Sequence, residues 1–293
     1  VAAPNLLAAP DTSFASVEGN PGRYRLHYDQ PAPITLKGWE HQSLPLGNGH
    51  FGVSFFGGTG EECWQFTEKS LYVKDETLVR DGNAWASVAL SDLMDLHLIM
   101  DHGSEQVEGY GRELELDHAI GRVRYLKSDV EYRRELFTSY PDRVFAARLT
   151  ASKPGKISFQ LRAVQPYLSS CRTGTAEAAG AELVLRGVTQ PYQLAHEIRI
   201  RVKTSGGKVE SHADGADANL RVDGADEAEV YVTLGTSYQL SPRVFLEGDS
   251  AKKLEGRSVP SERIKADLAS AVSKGFAALK SEHIADYGTL FER

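Results

Sequence analysis

Short runs of β-branched and aromatic residues, bounded by Gly, Pro, Asp and Asn, recur along most of the chain from Tyr24 onward. They predict strands over 24–29, 50–57, 61–67, 94–100, 112–117, 121–127, 129–138, 143–151, 156–164, 181–188, 196–204, 218–222 and 228–235. Several runs alternate with period two. In 130–137, Val130, Tyr132 and Leu136 share one face, with Arg134 set among them. In 196–202, Ile198, Ile200 and Val202 share a face, and Arg199 and Arg201 lie opposite. Alternation of this kind marks half-buried antiparallel strands. Many such strands joined by short turns predict a mainly β fold, a large antiparallel β-sandwich (super-sandwich). The word Asp-Gly-Ala-Asp occurs at 214–217 and again at 223–226. It reads as turn chemistry, because an Asp-Gly step supplies the positive φ that a tight turn needs. The ligand spacing of an EF-hand is absent.

The period changes after Pro260. Ile264, Leu268, Val272, Phe276 and Leu279 recur every three or four residues and predict an amphipathic helix, N-capped by Ser261 with Glu262 in its first turn. A second short helix is predicted over 283–291. The chain stops at Arg293 with no C-cap glycine, and this abrupt end carries the expectation that a larger unit follows. The apolar stripe of the helix either packs on the sandwich or waits for that unit. The second case predicts an exposed apolar patch larger than ~400 Å². Residues 1–22, rich in Ala, Pro, Ser, Asn and Gly, read as an extended leader. The expected organisation is therefore a leader over 1–22, a sandwich over 23–257 and a helical segment over 258–293.

The 293 residues are 41% hydrophobic and 25% charged, which excludes collagen, coiled coil and disorder and leaves room for a sizeable core. The net charge is −7 with the signs interspersed, so neither nucleic acid nor an anionic membrane surface is an expected partner. No apolar run approaches the ~18 residues of a membrane span. Cys63 and Cys171 are too few for a disulfide framework or a four-cysteine zinc site, and two separate thiols are favoured over one bridge.

No Gly-x-Ser-x-Gly elbow, His-Glu-x-x-His or phosphate-loop motif occurs. The glycine-rich stretch 47–52 precedes a strand rather than a helix, which disfavours dinucleotide binding. It reads instead as a turn into a buried strand, with Gly52, Gly57 and Gly58 allowing close backbone approach. Sugar hydrolysis needs two carboxylates. Glu40, Glu61, Glu62, Glu68, Asp75 and Glu76 are candidates, but spacing singles out no pair, and Glu61 and Glu62 point to opposite faces of a strand. The segment 39–50 gathers Trp39, Glu40, His41, Asn48 and His50 on a loop. Trp rings stack on sugar C–H groups, and Glu and Asn bond hydroxyls, so Trp39, Glu40, Asn48 and His50 form the candidate substrate-binding loop. His41 and His50 lack a third ligand, so no metal site is expected, and no cofactor either.

The same stretch carries a family resemblance. Leu26-His-Tyr28, Pro31-Ala32, Trp39-Glu40 and Ser43-Leu-Pro-Leu-Gly-Asn-Gly-His-Phe-Gly52 resemble the opening of glycoside hydrolase family 95, which contains α-L-fucosidases and some α-L-galactosidases. The agreement continues through Phe55-Phe-Gly-Gly58, Glu62, Gln65-Phe66, Glu68, Tyr110-Gly-Arg112, Tyr132-Arg-Arg-Glu135, Thr236-Ser-Tyr238 and His283…Asp286-Tyr287. The chain departs from the family at Thr67-Glu68…Leu71-Tyr72-Val73-Lys74-Asp75, where Asn-Glu…Leu-Trp-Ser-Gly-Gly-Pro is usual. The resemblance implies an N-terminal β-sandwich and the start of a helical linker to an α/α barrel. In such enzymes the barrel holds the acid and base of an inverting mechanism, so no catalytic residue carries over to this chain. It also implies that the 39–50 segment faces the barrel and that the substrates are fucosylated or galactosylated glycans; the expected location is extracellular or periplasmic. Two alternatives remain: a stand-alone carbohydrate-binding module, suggested by 26 aromatic residues and an acidic surface, and kinship with disaccharide phosphorylases.

Overall fold

The computed structural model describes residues 24–74, 88–104, 107–166, 172–190, 192–214 and 217–293. The 1–22 leader, Cys171, Asp75 and Glu76 lie outside them. Along the chain the strands are β1 (Arg25–Tyr28), β2 (Leu44–Gly47), β3 (Phe51–Phe55), β4 (Glu61–Lys74), β5 (Val88–Met100), β6 (Glu108–Glu115), β7 (Ile120–Lys127), β8 (Val130–Ser139), β9 (Val144–Ala151), β10 (Ile157–Val164), β11 (Arg172–Ala179), β12 (Glu182–Thr189), β13 (Leu194–Ser205), β14 (Lys208–Asp214), β15 (Asp217–Ala225) and β16 (Glu227–Thr236). The helices are α1 (Leu36–His41), α2 (Pro242–Leu246) and α3 (Ser261–Phe291). One sheet has nine strands in the order β1-β6-β7-β8-β9-β16-β13-β12-β11, and the other seven in the order β14-β15-β10-β5-β4-β3-β2. Every strand pairing is antiparallel. The expected sandwich is thus what the chain forms.

The inward faces of the two sheets meet in one apolar core. Trp64 and Phe66 of β4 close on Phe145 of β9, with ring centroids 5.1 and 5.2 Å apart. The second contact is edge-on, a geometry that adds to area burial. Arg134, which the alternation of β8 placed among apolar neighbours, does face inward and is buried. Its Nη1 donates to Glu62 Oε2 at 2.7 Å and its Nη2 to the Gly58 carbonyl. Glu62 Oε1 accepts the backbone N–H groups of Phe56, Gly57 and Cys63. A buried carboxylate with this many donors is the anchor of the 56–60 loop rather than a free acid. Gly57 has φ +80°, and a Cβ there would sit 2.4 Å from the Arg112 side chain; at Gly58 it would meet the Glu61 carbonyl at 1.7 Å. Close approach is therefore required at both. Gly52 does not need it, since its Cβ would meet Thr67 at an ordinary 3.4 Å. Cys63 is a free, buried thiol, pushed up by burial.

The tail differs from expectation in two ways. The α3 run begins at Ser261 with Pro260 in the cap position and no side-chain cap bond. The Ser261 hydroxyl instead donates to Glu197 Oε2 at 2.9 Å, tying the helix start to β13. The break falls not before 283 but at Gly275, whose φ of 77° and ψ of 163° interrupt the helix. Only glycine takes such a backbone readily, and the following N–H of Phe276 points to Glu229 Oε1 at 3.4 Å. Both halves lie on the outer face of the nine-stranded sheet. Leu268, Ala271, Phe276 and Leu279 close over Ile120, Phe137, Val144, Ala146 and Tyr231. The predicted apolar stripe is covered by the sandwich, so this face does not wait for another domain.

Candidate binding pocket

A cavity of about 300 Å³ opens where the β2–β3 hairpin, the middle of β4, the end of β16 and the start of α3 meet. That volume is at the lower end for small-molecule sites. The hairpin is set by Asn48, whose buried amide oxygen accepts the N–H groups of His50 and Phe51, both at 3.0 Å. Its Nδ2 donates to the Ser139 carbonyl at 3.0 Å. Asn48 thus holds the turn in place and leaves contact with a ligand to its neighbour. His50 lines the cavity and stacks on Tyr140 with ring centroids 5.4 Å apart.

The floor is made by an irregularity in β4. Thr67 pairs with Asp92 but Tyr72 with Leu90, so extra residues bulge from the strand between them. The bulge carries Glu68, Lys69 and Ser70. Glu68 Oε2 accepts from the Ser70 N–H at 2.7 Å and from its hydroxyl at 2.5 Å. Because the single Ser70 proton goes to Glu68, the 2.7 Å contact between Ser70 and Thr236 hydroxyls has Thr236 as donor. Thr236 Oγ1 in turn accepts the Tyr238 N–H at 3.3 Å. Burial pushes the Glu68 carboxyl up, against the Ser70 bonds and the nearby Lys69 and Arg263.

Three cations share the cavity wall: Lys69, Arg143 and Arg263. Arg263 Nη1 is paired with Asp267 at 3.0 Å. Burial first, then the fields of Lys69, Arg143 and Arg263, pull the His50 imidazole below its ordinary value, opposed by Asp267. It is neutral at pH 7. Glu68 is the one carboxylate among the lining residues, so the pocket offers no facing pair of acids for glycoside hydrolysis.

Of the four residues expected to form the sugar loop, the structure brings His50 to the pocket and Asn48 behind it. Trp39 and Glu40 sit apart, on α1, where Thr35 Oγ1 accepts the Gly38 N–H at 3.1 Å. A Cβ at Gly38 would meet the Pro33 carbonyl at 1.9 Å, so only glycine lets the helix sit this close to the preceding loop. Trp39 is 44% exposed beside exposed Ile34 and Leu36, which makes it a surface aromatic rather than a core plug. Glu40 faces His41 at 3.9 Å. Among the described residues, the group able to converge on a metal is Glu115, Asp117 and His118, with ligand atoms within 4.8 Å. Glu115 there is paired with Arg122 and contacts His118 Nδ1 at 3.0 Å. No described helix is long and apolar enough to cross a membrane.

Residues 26–90 and 76–241 match the family described as glycosyl hydrolase family 65, N-terminal domain. The chain belongs to that family. Its relatives include Alpha-L-fucosidase 2 of Arabidopsis thaliana, 23% identical across 90% of this chain, and a protein of Aspergillus niger assigned as alpha-fucosidase A, 26% identical across 67%. The chain spans 36% and 24% of the length of those two proteins. Among solved structures, a human-microbiome protein assigned as a kojibiose phosphorylase superposes on 94% of the chain with a TM-score of 0.58 at 14% identity, covering 39% of that protein. At this identity the likeness is one of fold. The family's members are thus N-terminal sandwiches of larger glycoside-hydrolase-like proteins.

Proposed function

We propose that this chain is the non-catalytic N-terminal β-sandwich of an inverting α-L-fucosidase-like glycoside hydrolase of family 95, and that it supports a catalytic α/α barrel carried by a further segment of the polypeptide. The observation that carries the reading is the pattern of matches: the α-fucosidase relatives align with most of this chain, yet the chain accounts for little more than a third of the Arabidopsis enzyme. The motif series from Leu26 to Tyr287 favours family 95 over other users of the same sandwich. Two buried acids, one in the core and one on the outer face of the nine-stranded sheet, are committed to ion pairs. Glu62 is held by Arg134, and Glu197 by Arg186 and Arg199. Exposed Leu240, Phe245 and Leu246, on and beside α2, offer an apolar surface for a further domain, whereas the α3 stripe does not. In this reading the 39–50 segment reaches toward the barrel through Trp39.

The experiment is product analysis of the longer gene product on fucosylated and galactosylated oligosaccharides. Release of L-fucose with inverted anomeric configuration, independent of phosphate, is expected. Strict dependence on phosphate would place the protein with the disaccharide phosphorylases and overturn the assignment.

A further inference from the structure

The pocket between β4, β16 and α3 has a charge balance that a neutral sugar does not need. Lys69, Arg143 and Arg263 line it against the single carboxylate Glu68. Arg263 is neutralised by Asp267, but neither Lys69 nor Arg143 forms an ion pair with any described residue. Arg143 is also held at φ +52°, in the left-handed region at the turn between β8 and β9. A long L side chain is disfavoured there, and glycine or asparagine is the ordinary occupant. An arginine kept at such a position, facing a cavity, points to use of its guanidinium. Beside the cations the lining turns to hydroxyl chemistry. Glu68, Gln239 and the Ser70–Thr236 pair bring acceptors and donors, and Tyr238 adds a ring that is 37% exposed.

We propose that this pocket binds an acidic sugar, a single pyranose carrying a carboxylate or sulfate, with its anionic group set among Arg143, Lys69 and Arg263 and its ring against Tyr238, Glu68 and Gln239. Guanidinium groups bind carboxylate and sulfate oxygens through paired N–H donors. The volume of about 300 Å³ suits one ring rather than a chain. The site does not depend on the fucosidase assignment, because every group in it belongs to this chain. His50 supplies a built-in reporter. The same three cations help hold its imidazole down, so an anion placed among them must move its titration upward.

The test is calorimetry and NMR titration of the His50 ring on the 293-residue chain at low salt. D-galacturonate and D-galactose 6-sulfate are the ligands, with D-galactose and inorganic sulfate as matched controls. At least one acidic sugar is expected to bind tenfold or more tightly than either control and to raise the His50 titration point. Binding should weaken as salt is added. Arg143→Gly should lose at least tenfold in affinity without a lower melting temperature, since glycine relieves the backbone at that position, and Lys69→Gln should weaken binding in the same direction. Equal binding of galactose would show that charge is not read. Inorganic sulfate binding as tightly as the acidic sugars would show that the ring is not read. An unmoved His50 would place any binding elsewhere. Each of these three results overturns the proposal.

Discussion

At the residue scale, the buried polar groups set the terms. Arg134 is fully enclosed with Glu62, and burial pushes the Glu62 carboxyl up while Arg134 and the backbone N–H groups pull it down. Removing one partner of such a pair leaves a buried charge and costs about 3–5 kcal/mol. Arg134→Met is therefore expected to lose that much in urea unfolding, with a smaller loss at pH 5 than at pH 8 because the stranded carboxyl can then take a proton. An equal loss at both values would mean that Glu62 is not the group left behind. His196 gives the opposite pH signature. It is buried, its Nε2 contacts Gln165 Oε1 at 3.0 Å, and burial with the Arg172 charge lowers it to about 3. A base depressed in the folded state contributes stability above its unfolded value of about 6.5, and that stability is lost as the pH falls toward 3. Wild type should lose up to about 1.4 kcal/mol per pH unit more than His196→Gln between these limits. Parallel acid-unfolding curves would contradict the assignment. Arg134 could be read from alternation alone, because it sits in phase with Val130, Tyr132 and Leu136. The role of Asn48 could not: in sequence, an amide that bonds a sugar and one that holds a turn look the same.

At the element scale, periodicity located most strands and failed where it had little to work with. β11 is Arg-Thr-Gly-Thr-Ala-Glu-Ala-Ala and β14 begins Lys-Val-Glu-Ser-His, edge strands with few large apolar side chains. β2 is four residues long with a proline. Edge strands need little apolar surface and tolerate polar residues and proline, so their signal is weak. The bulge in β4 that builds the pocket floor leaves no mark on the hydrophobic pattern either, since Glu68, Lys69 and Ser70 read as an ordinary polar interlude. The tail helix was legible as a stripe, but its break was not placed, because Gly275 looks like a tolerated helical glycine until its φ is known. The docked helix is an integral part of the sandwich. Phe276 packs on Phe137 at 5.2 Å and under the Arg148 guanidinium at 4.9 Å. Phe276→Ala should cost about 3–5 kcal/mol by chemical denaturation at unchanged m-value. A loss below 1 kcal/mol would mean that α3 is only loosely laid on the sheet.

At the scale of the whole molecule, two sheets pack into one sandwich with α3 laid on the outer face of the nine-stranded sheet, and the inner acid Glu62 is held by Arg134. The outer face of the nine-stranded sheet carries linked ion pairs, Arg122 to Glu135 to Lys280 of α3, and Arg186 to Glu197 to Arg199 near the start of α3. Burial raises the Glu135 carboxyl, but Lys280 and Arg122 outweigh it and hold it below the usual range. The proposed function assigns the chemistry to another segment of the polypeptide. Measuring release of L-fucose from a fucosylated oligosaccharide by the 293-residue chain, beside the longer gene product at equal concentration, tests this most directly. The account predicts turnover by the longer polypeptide and none by the sandwich alone. Turnover by the 293 residues themselves would contradict it.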